Sequence, residues 1–241
     1  YIGIVIKRIN RTVAVMVGAL SMVLIGQAMG FYDQNLALDY IDFNTRGLLL
    51  GMMRLVGLVG ETGFCQYLGI KTAKLSVGSF YRLLALFVLV TAFTSAFLDN
   101  VTTVLLMAPV TITIARELDI NPVPFLMAEV ISSNIGGTAT LIGDPPNIMI
   151  GSPTWGNIHF VQFIMYLSPI VIIVLFIVLL IFELMYHDII NRDMERFDKI
   201  MEMDETESIT NRPLLYKSLL ALLVTLVLFM VHHHFHIPPW V

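Results

Sequence analysis

Charged residues are scarce in this chain. They make up 13% of its 241 residues, against roughly 25% in a soluble globular domain. Cysteine is nearly missing as well: Cys65 alone excludes an internal disulfide framework and any cysteine-based zinc site, and it reads as a small residue packed in a helix. There is no basic block and the formal net charge is −4, so nucleic-acid binding has no support. No Ser-His, HExxH or Cys-His pairing falls in the apolar stretches, and an enzyme is not expected. No secretory leader is read at the start, where YIGIVI runs directly into KRINR. That opening resembles the last turns of a helix already under way, so the chain is expected to be a piece of a longer protein.

What the chain has in quantity is apolar sequence. Hydrophobic residues reach 57% and mean hydropathy is +0.82, which points to an all-α integral membrane protein whose first partner is the lipid bilayer. A full span needs about 20 apolar residues. Val13–Phe31, Phe163–Phe182 and Leu214–Val231 meet that need, with Lys217 able to snorkel from the last. Gly47–Gly60 is shorter and carries Arg54, so it needs help from Glu61–Leu75, a mixed stretch expected to lie at the interface as an amphipathic helix. Leu83–Leu98 and Val101–Ala115 are uncharged but would reach only about 24 Å and 22 Å. With Asp99-Asn100 between them, they read as a re-entrant hairpin with a polar tip; two tilted short spans are the alternative.

The basic residues give the orientation. If Lys7, Arg8 and Arg11 are cytoplasmic, alternating the spans puts Lys71, Lys74, Arg82, Arg116, Arg192, Arg196, Lys199, Arg212 and Lys217 on the same side. The opposite loop, residues 32–45, carries Asp33, Asp39 and Asp42 as its only acids, with Arg46 just beyond it. His187–Arg212 holds eight acids and four bases and reads as a solvated connector. The histidines of HHHFH, residues 232–236, read as an interfacial helix end ahead of Pro238-Pro239 rather than as a metal site.

Two interruptions carry the chemistry. The first is Asp99-Asn100-Val101-Thr102-Thr103, where a hairpin tip would bring helix ends and hard oxygen ligands to one place in the membrane. Asp99 there can balance a cation or take up a proton, and Asp99 or Asn100 can also cap the following helix. The second runs from Ser132 through Ser133, Asn134, Gly136, Gly137, Thr138 and Thr140 to Asp144, Pro145, Pro146 and Asn147. Gly136-Gly137 is expected to permit non-helical backbone close to an ion, and Pro145-Pro146 to stop the helix from running through. Charge at membrane depth is costly and is kept mostly for function. Broken helices of this kind build the sites of secondary transporters. Glu129, one turn before Ser133, either faces the same cavity as a further proton-coupling group beside Asp99 and Asp144 or pairs with Arg54 or Arg116.

SAFLDNVTTVLLMAPVTI and AEVISSNIGGTATLIGDPPNIMIGS resemble the signature stretches of ArsB/NhaD-type permeases. These belong to an ion transporter superfamily with citrate-transporter-like permeases and the melanosomal P protein as relatives. IDFNTRGLLLGMM and ETGFCQYLGIKTAKLS resemble the preceding segment, and the likeness covers Val13 to Asp188. It implies the first inverted repeat of an elevator-type transporter, with a re-entrant hairpin and a broken helix. Asp99–Thr103 would be its hairpin tip and Ser133–Asn147 its unwound linker. Carboxylate-transporting relatives carry Ser-Asn-Thr at the tip; Asp99-Asn100-Val101-Thr102 here favours cations or protons. By that resemblance a second repeat is expected beyond this sequence, and with it the other half of the site.

The resulting plan divides the chain into residues 1–81 (scaffold-like spans and interfacial helix), 82–152 (hairpin and unwound helix), 153–186 (a span), 187–212 (connector) and 213–241 (the first span of a second repeat). The expected function is secondary active transport coupling Na⁺ or H⁺ to movement of a small ion, of Na⁺/H⁺ antiport type. No cofactor or metal beyond a Na⁺ site is expected, and the setting is a multi-pass plasma-membrane protein, as a homodimer. Arsenite or oxyanion transport, citrate or dicarboxylate transport, and a non-transporting scaffold subunit stand as alternatives. The expected ion and substrate ligands are Asp99, Asn100, Thr102, Thr103, Ser133, Asn134, Gly136, Gly137, Thr138, Asp144 and Asn147.

Overall fold

A computed structural model of the chain describes residues 10–31, 43–77, 79–151, 158–186 and 197–235. Among these the protein is helical throughout, without a strand. It divides into two compact units, residues 1–44 and 45–241. The described part of the first is α1 (Arg11–Ala28), capped by the Asn10 side chain, which accepts from Thr12 N–H. Gly30, at φ +74°, closes it, with the Phe31 N–H reaching back to the Gly26 carbonyl. The acidic loop of Asp33, Asp39 and Asp42 lies outside the described residues, as do Lys7, Arg8, Arg192, Arg196 and His236.

The second unit holds the elements that matter for function. α2 (Phe43–Glu61) and α3 (Phe64–Leu75) meet at a 56° bend. α4 (Phe80–Phe97) and α5 (Asn100–Glu117) follow, then α6 (Val123–Gly137), the short α7 (Pro145–Gly151) and the 26-residue α8 (Phe160–Met185). After it come α9 (Phe197–Glu202), a 3₁₀ turn (Glu205–Ser208) and α10 (Arg212–Phe235). Phe80–Phe97, Phe160–Met185 and Arg212–Met230 are each long and apolar enough to cross a membrane, and the bent α2–α3 pair makes a fourth crossing if it counts as one span.

The expected helix lengths change here. α4 and α5 have 18 residues each, about 27 Å at 1.5 Å per residue. The uncharged runs underestimated both helices because Arg82 and the Arg116-Glu117 pair belong to their terminal turns, where charge does not break a helix. α3 buries Cys65, Gly69, Ile70, Thr72 and Ala73, and it packs on α4 and α5.

The described part of the connector is mostly exposed, and it is docked on the bundle at a few points. Ile200 on α9 is fully buried, Lys74 pairs with Glu205, and Thr210 N–H donates to the Thr62 carbonyl at 3.1 Å. One buried isoleucine and a backbone hydrogen bond suffice to dock a segment whose composition looks soluble. Lys199 lies 3.8 Å from Glu117. These pairs gather Lys74, Lys199, Glu117 and Glu205 at one end of the bundle.

Inside the bundle α4 packs most extensively on α6. The Phe125 ring sits 4.8 Å from Phe80 and 6.2 Å from Phe87, centroid to centroid. Lipid is as apolar as leucine, so helix association in a membrane relies on close packing and interhelical hydrogen bonds. Gly136 supplies the first: a Cβ there would lie 2.1 Å from the Ala92 carbonyl oxygen. α5 ends in a Schellman motif, with Asp119 at φ +57°, Asp119 N–H on the Arg116 carbonyl and Ile120 N–H on that of Ala115. That turn reverses the chain into Pro122 and α6.

Candidate functional site

Asp99 is the N-cap of α5. Its Oδ2 accepts from the Thr102 backbone N–H and from the Thr102 hydroxyl, each at 2.9 Å. The cap fixes the start of α5 and turns the next side chain, Asn100, toward α6. There the Asn100 amide donates to Asn134 Oδ1 at 3.1 Å and to Asp144 Oδ2 at 3.4 Å. Asp99 directly precedes this amide and Asp144 accepts from it, so a carboxylate stands on either side. Both interruptions of the sequence therefore meet at one amide, flanked by two half-buried carboxylates. Asn134 is exposed, so the cluster opens on one side.

Beneath the amide lies a hydroxyl relay. Ser95 donates to the Ser133 carbonyl at 2.7 Å, Ser133 donates to the Asn100 carbonyl at 2.8 Å, and the two hydroxyl oxygens are 3.1 Å apart. Both serines are fully buried. The relay joins α4, the start of α5 and α6.

The second interruption is narrower than the sequence predicts. Ser132–Gly137 remain helical, and the break is confined to residues 138–144. Gly136 and Gly137 have no left-handed dihedrals; Gly136 is there for close packing on α4, not for unwinding. Pro145 and Pro146 stand at the start of α7, where a missing N–H costs nothing. Irregular backbone at membrane depth needs partners for its polar groups, and side chains provide them. Thr140 donates to the Ala96 carbonyl and accepts from the N–H groups of Ile142 and Gly143, each at 3.2 Å. Asn147 donates to the carbonyls of Gly137 and Thr140, both at 2.9 Å. Ser168 on α8 reaches the Ala139 carbonyl at 3.1 Å. At Gly143 a Cβ would come within 2.5 Å of the Gly137 carbonyl and 2.7 Å of that of Ser95, so only glycine lets the loop fold back onto the tip.

The eleven expected ligands thus sort by position. Asp99, Asn100, Ser133, Asn134 and Asp144 form one cluster, with Thr102 joined to it through Asp99 and Gly137 against the Asn100 side chain. Asn147 braces the break, Thr138 is exposed and bonds its own helix at Ile135, and Thr103 is buried one turn away. Ser95, Thr140 and Thr111 were not among the expected ligands. Ser95 stands one turn before Asp99 in SAFLDN, a spacing that places it beneath the tip. Glu129 does not pair with Arg54 or Arg116, both of which are exposed. It is fully buried, and its Oε1 accepts from the Thr111 hydroxyl.

Known proteins are similar to this chain over most of its length. The family model described as Citrate transporter matches residues 1–241. A 46 kDa membrane protein of Mycobacterium leprae is 44% identical over 99% of this chain and 55% of its own length. An uncharacterized transporter of Mycobacterium tuberculosis is 40% identical over the same shares. The human P protein is 44% identical over 63% of this chain and 18% of its own length. The chain spans about half the length of the mycobacterial relatives.

Proposed function

Because the chain belongs to the citrate transporter family, a family of membrane transporters, we propose that it forms the ion-handling half of a secondary active transporter. Na⁺ or H⁺ is coupled at the Asp99–Asn100–Asp144 cluster to the movement of a small ion, as Na⁺/H⁺ antiport. The ArsB/NhaD-type likeness, the elevator arrangement of inverted repeats, the homodimer and the plasma membrane belong to the same reading. The carrying observation is the Asn100 amide held between Asn134 and Asp144 with Asp99 beside it. Two carboxylates at the joint of two helix interruptions supply negative charge at one point, and among the described residues no lysine or arginine is a hydrogen-bond partner of the cluster.

A cation lowers the mutual repulsion of Asp99 and Asp144, and a proton on either does the same. Alternating release of one and uptake of the other is the exchange that antiport requires. Broken helices that present such groups at the bilayer midplane are the usual construction of secondary transporters. Anion transport is the second reading. It is favoured by the family's description and by the start of α5 at the cluster, since the positive end of a helix suits a carboxylate or oxyanion.

The test uses full-length transporter in proteoliposomes. Asp99→Asn is expected to abolish pH- and Na⁺-dependent ion flux, and unchanged flux overturns the role given to Asp99. Thermal stabilisation scanned with Na⁺, citrate and arsenite separates the readings. Stabilisation by citrate or arsenite without Na⁺ dependence selects the anion; indifference to all three, with tolerated mutations, selects a scaffold.

A further inference from the structure

Three carboxyl groups lie in the two interruptions and the helix between them, and their surroundings divide them. Asp99 accepts two hydrogen bonds from Thr102 at the start of α5, and Asp144 accepts one from the Asn100 amide. Both are partly exposed. Glu129 on α6 is 0% exposed. Its Oε1 accepts from the Thr111 hydroxyl, and its Oε2 is buried without a hydrogen-bond partner among the described residues.

The Glu129 carboxyl is held away from the cluster. Thr111 stands eleven residues along α5 from Asn100, about 16 Å of helix at 1.5 Å per residue. The backbone of Glu129 is one turn from Ser133, but its side chain is tied to a different part of α5 from the one that Ser133 and Asn134 touch.

No base balances the group. α6 has no other ionisable residue, and α4, α5 and α8 pack on it. α4 brings Tyr81 and Arg82 in its first turn; Tyr81 sits beside Glu183 of α8, and Arg82 is exposed. α5 brings Asp99 as its cap, and Arg116 and Glu117 in its last turn; Arg116 is exposed and Glu117 lies near Lys199. α8 adds Tyr166, which is exposed. None of these is a hydrogen-bond or ion-pair partner of Glu129.

A buried carboxylate stays charged when it faces a cation or accepts several hydrogen bonds. Glu129 has one hydroxyl. A charge so placed is neutralised in practice, and the neutral acid has one O–H and one carbonyl-type oxygen. Thr111 marks Oε1 as the acceptor, which leaves Oε2 as the oxygen that carries hydrogen.

We propose that Glu129 is a proton site separate from the Asp99–Asn100–Asp144 cluster, with the proton on Oε2 and Thr111 as its positioning residue. On release, the O–H bond breaks, its electron pair stays on Glu129 and the proton passes to water. The bare carboxylate is too costly for the packed interior, so release belongs to a state in which water reaches between α5 and α6. The partly exposed cluster is left to hold the cation, and proton and cation have separate seats. This part in transport rests on the function proposed above; the protonation of Glu129 does not.

The experiment is infrared difference spectroscopy of full-length protein in detergent at neutral pH, where exposed carboxyls are ionised. Subtracting Glu129→Gln from the parent is expected to leave one carbonyl band of a protonated acid, displaced in D₂O. Thr111→Val removes the donor to Oε1 and is expected to move that band to higher frequency, whereas Asp99→Asn leaves it in place. A difference that contains carboxylate bands alone overturns the proposal. Should glutamine disturb folding, Thr111→Val decides: an acid band that it does not move overturns the proposal as well. In proteoliposomes Glu129→Gln is expected to abolish pH-driven flux, and flux equal to the parent's overturns the part in transport. If the acid band is present and Asp99→Asn keeps normal flux, this site stands and the role proposed for Asp99 falls. If the band is absent and Asp99→Asn loses flux, the proposed function stands and this site falls.

Discussion

The side-chain amide of Asn100 donates to Asp144, 44 residues further along the chain and 3.4 Å away. That contact joins the turn between α4 and α5 to the break after α6. The same amide reaches Asn134, so one side chain holds three segments in register.

Replacing Asn100 with alanine releases both contacts. Hydrogen bonds between membrane helices are worth about 0.6 kcal/mol on average, so thermal melts of full-length protein should register a loss of about 1 kcal/mol. Flux should fall far more, because Asp144 loses the group that positions it. A variant with equal losses in both measurements would mark Asn100 as structural alone.

Gly136→Ala puts a methyl group 2.1 Å from the Ala92 carbonyl oxygen. Backbone on both sides blocks relaxation, so α4 and α6 must separate. Overpacking costs about 1–3 kcal/mol and sometimes more, and this site belongs at the upper end. Size-exclusion profiles and melting of the variant should reveal a destabilised protein, whereas Gly51→Ala on α2, with open space around it, should behave as the parent.

Thr140→Val removes a hydroxyl that serves one carbonyl and two N–H groups. The partners are buried, and leaving such groups unsatisfied costs about 1–3 kcal/mol each. The loop at residues 138–144 should lose protection in hydrogen exchange while the ends of α4 and α6 near Phe80 and Phe125 keep theirs.

The docked connector carries a pH dependence of known sign. The hydrogen bond from Lys74 holds the Glu205 carboxyl below its ordinary value, and the Thr206 hydroxyl and backbone N–H do the same for Asp204. A carboxyl with a lowered folded pKa contributes stability that is present above its unfolded pKa and disappears as pH falls through the folded value. Exchange at the Thr210 amide, corrected for intrinsic rate, should therefore accelerate in acid below the ordinary carboxylate range of about 4. Lys74→Met should flatten that dependence; an unaltered profile would assign it to other groups.

The long helices were legible because uncharged length alone announces them, as in Phe160–Met185. The cluster was largely legible too, since Asp, Asn and Ser inside apolar sequence have few other reasons to be there. Helix ends were not. Arg82, Arg116 and Glu117 sit in terminal turns, and a count of uncharged residues stops before them. The glycine pair misled for a related reason: sequence cannot distinguish a glycine that permits unwinding from one that admits a neighbouring backbone, and Gly136 is the second kind. The docking of residues 197–211 was hidden as well, because it depends on one isoleucine and one backbone hydrogen bond within a polar composition.

The corner between α2 and α3 depends on a distant part of the chain. The Thr62 carbonyl receives its donor from Thr210, about 150 residues later. Ribosomes add roughly 5–20 residues per second, so this carbonyl waits on the order of ten seconds or more for its partner. The bundle that carries Asn100 and Asp144 can close early in synthesis, while the corner stays unfinished until the connector emerges. The corner is therefore completed after the Asn100–Asp144 bundle can have closed, and α10, with Phe229 against Phe160, is the last element to join.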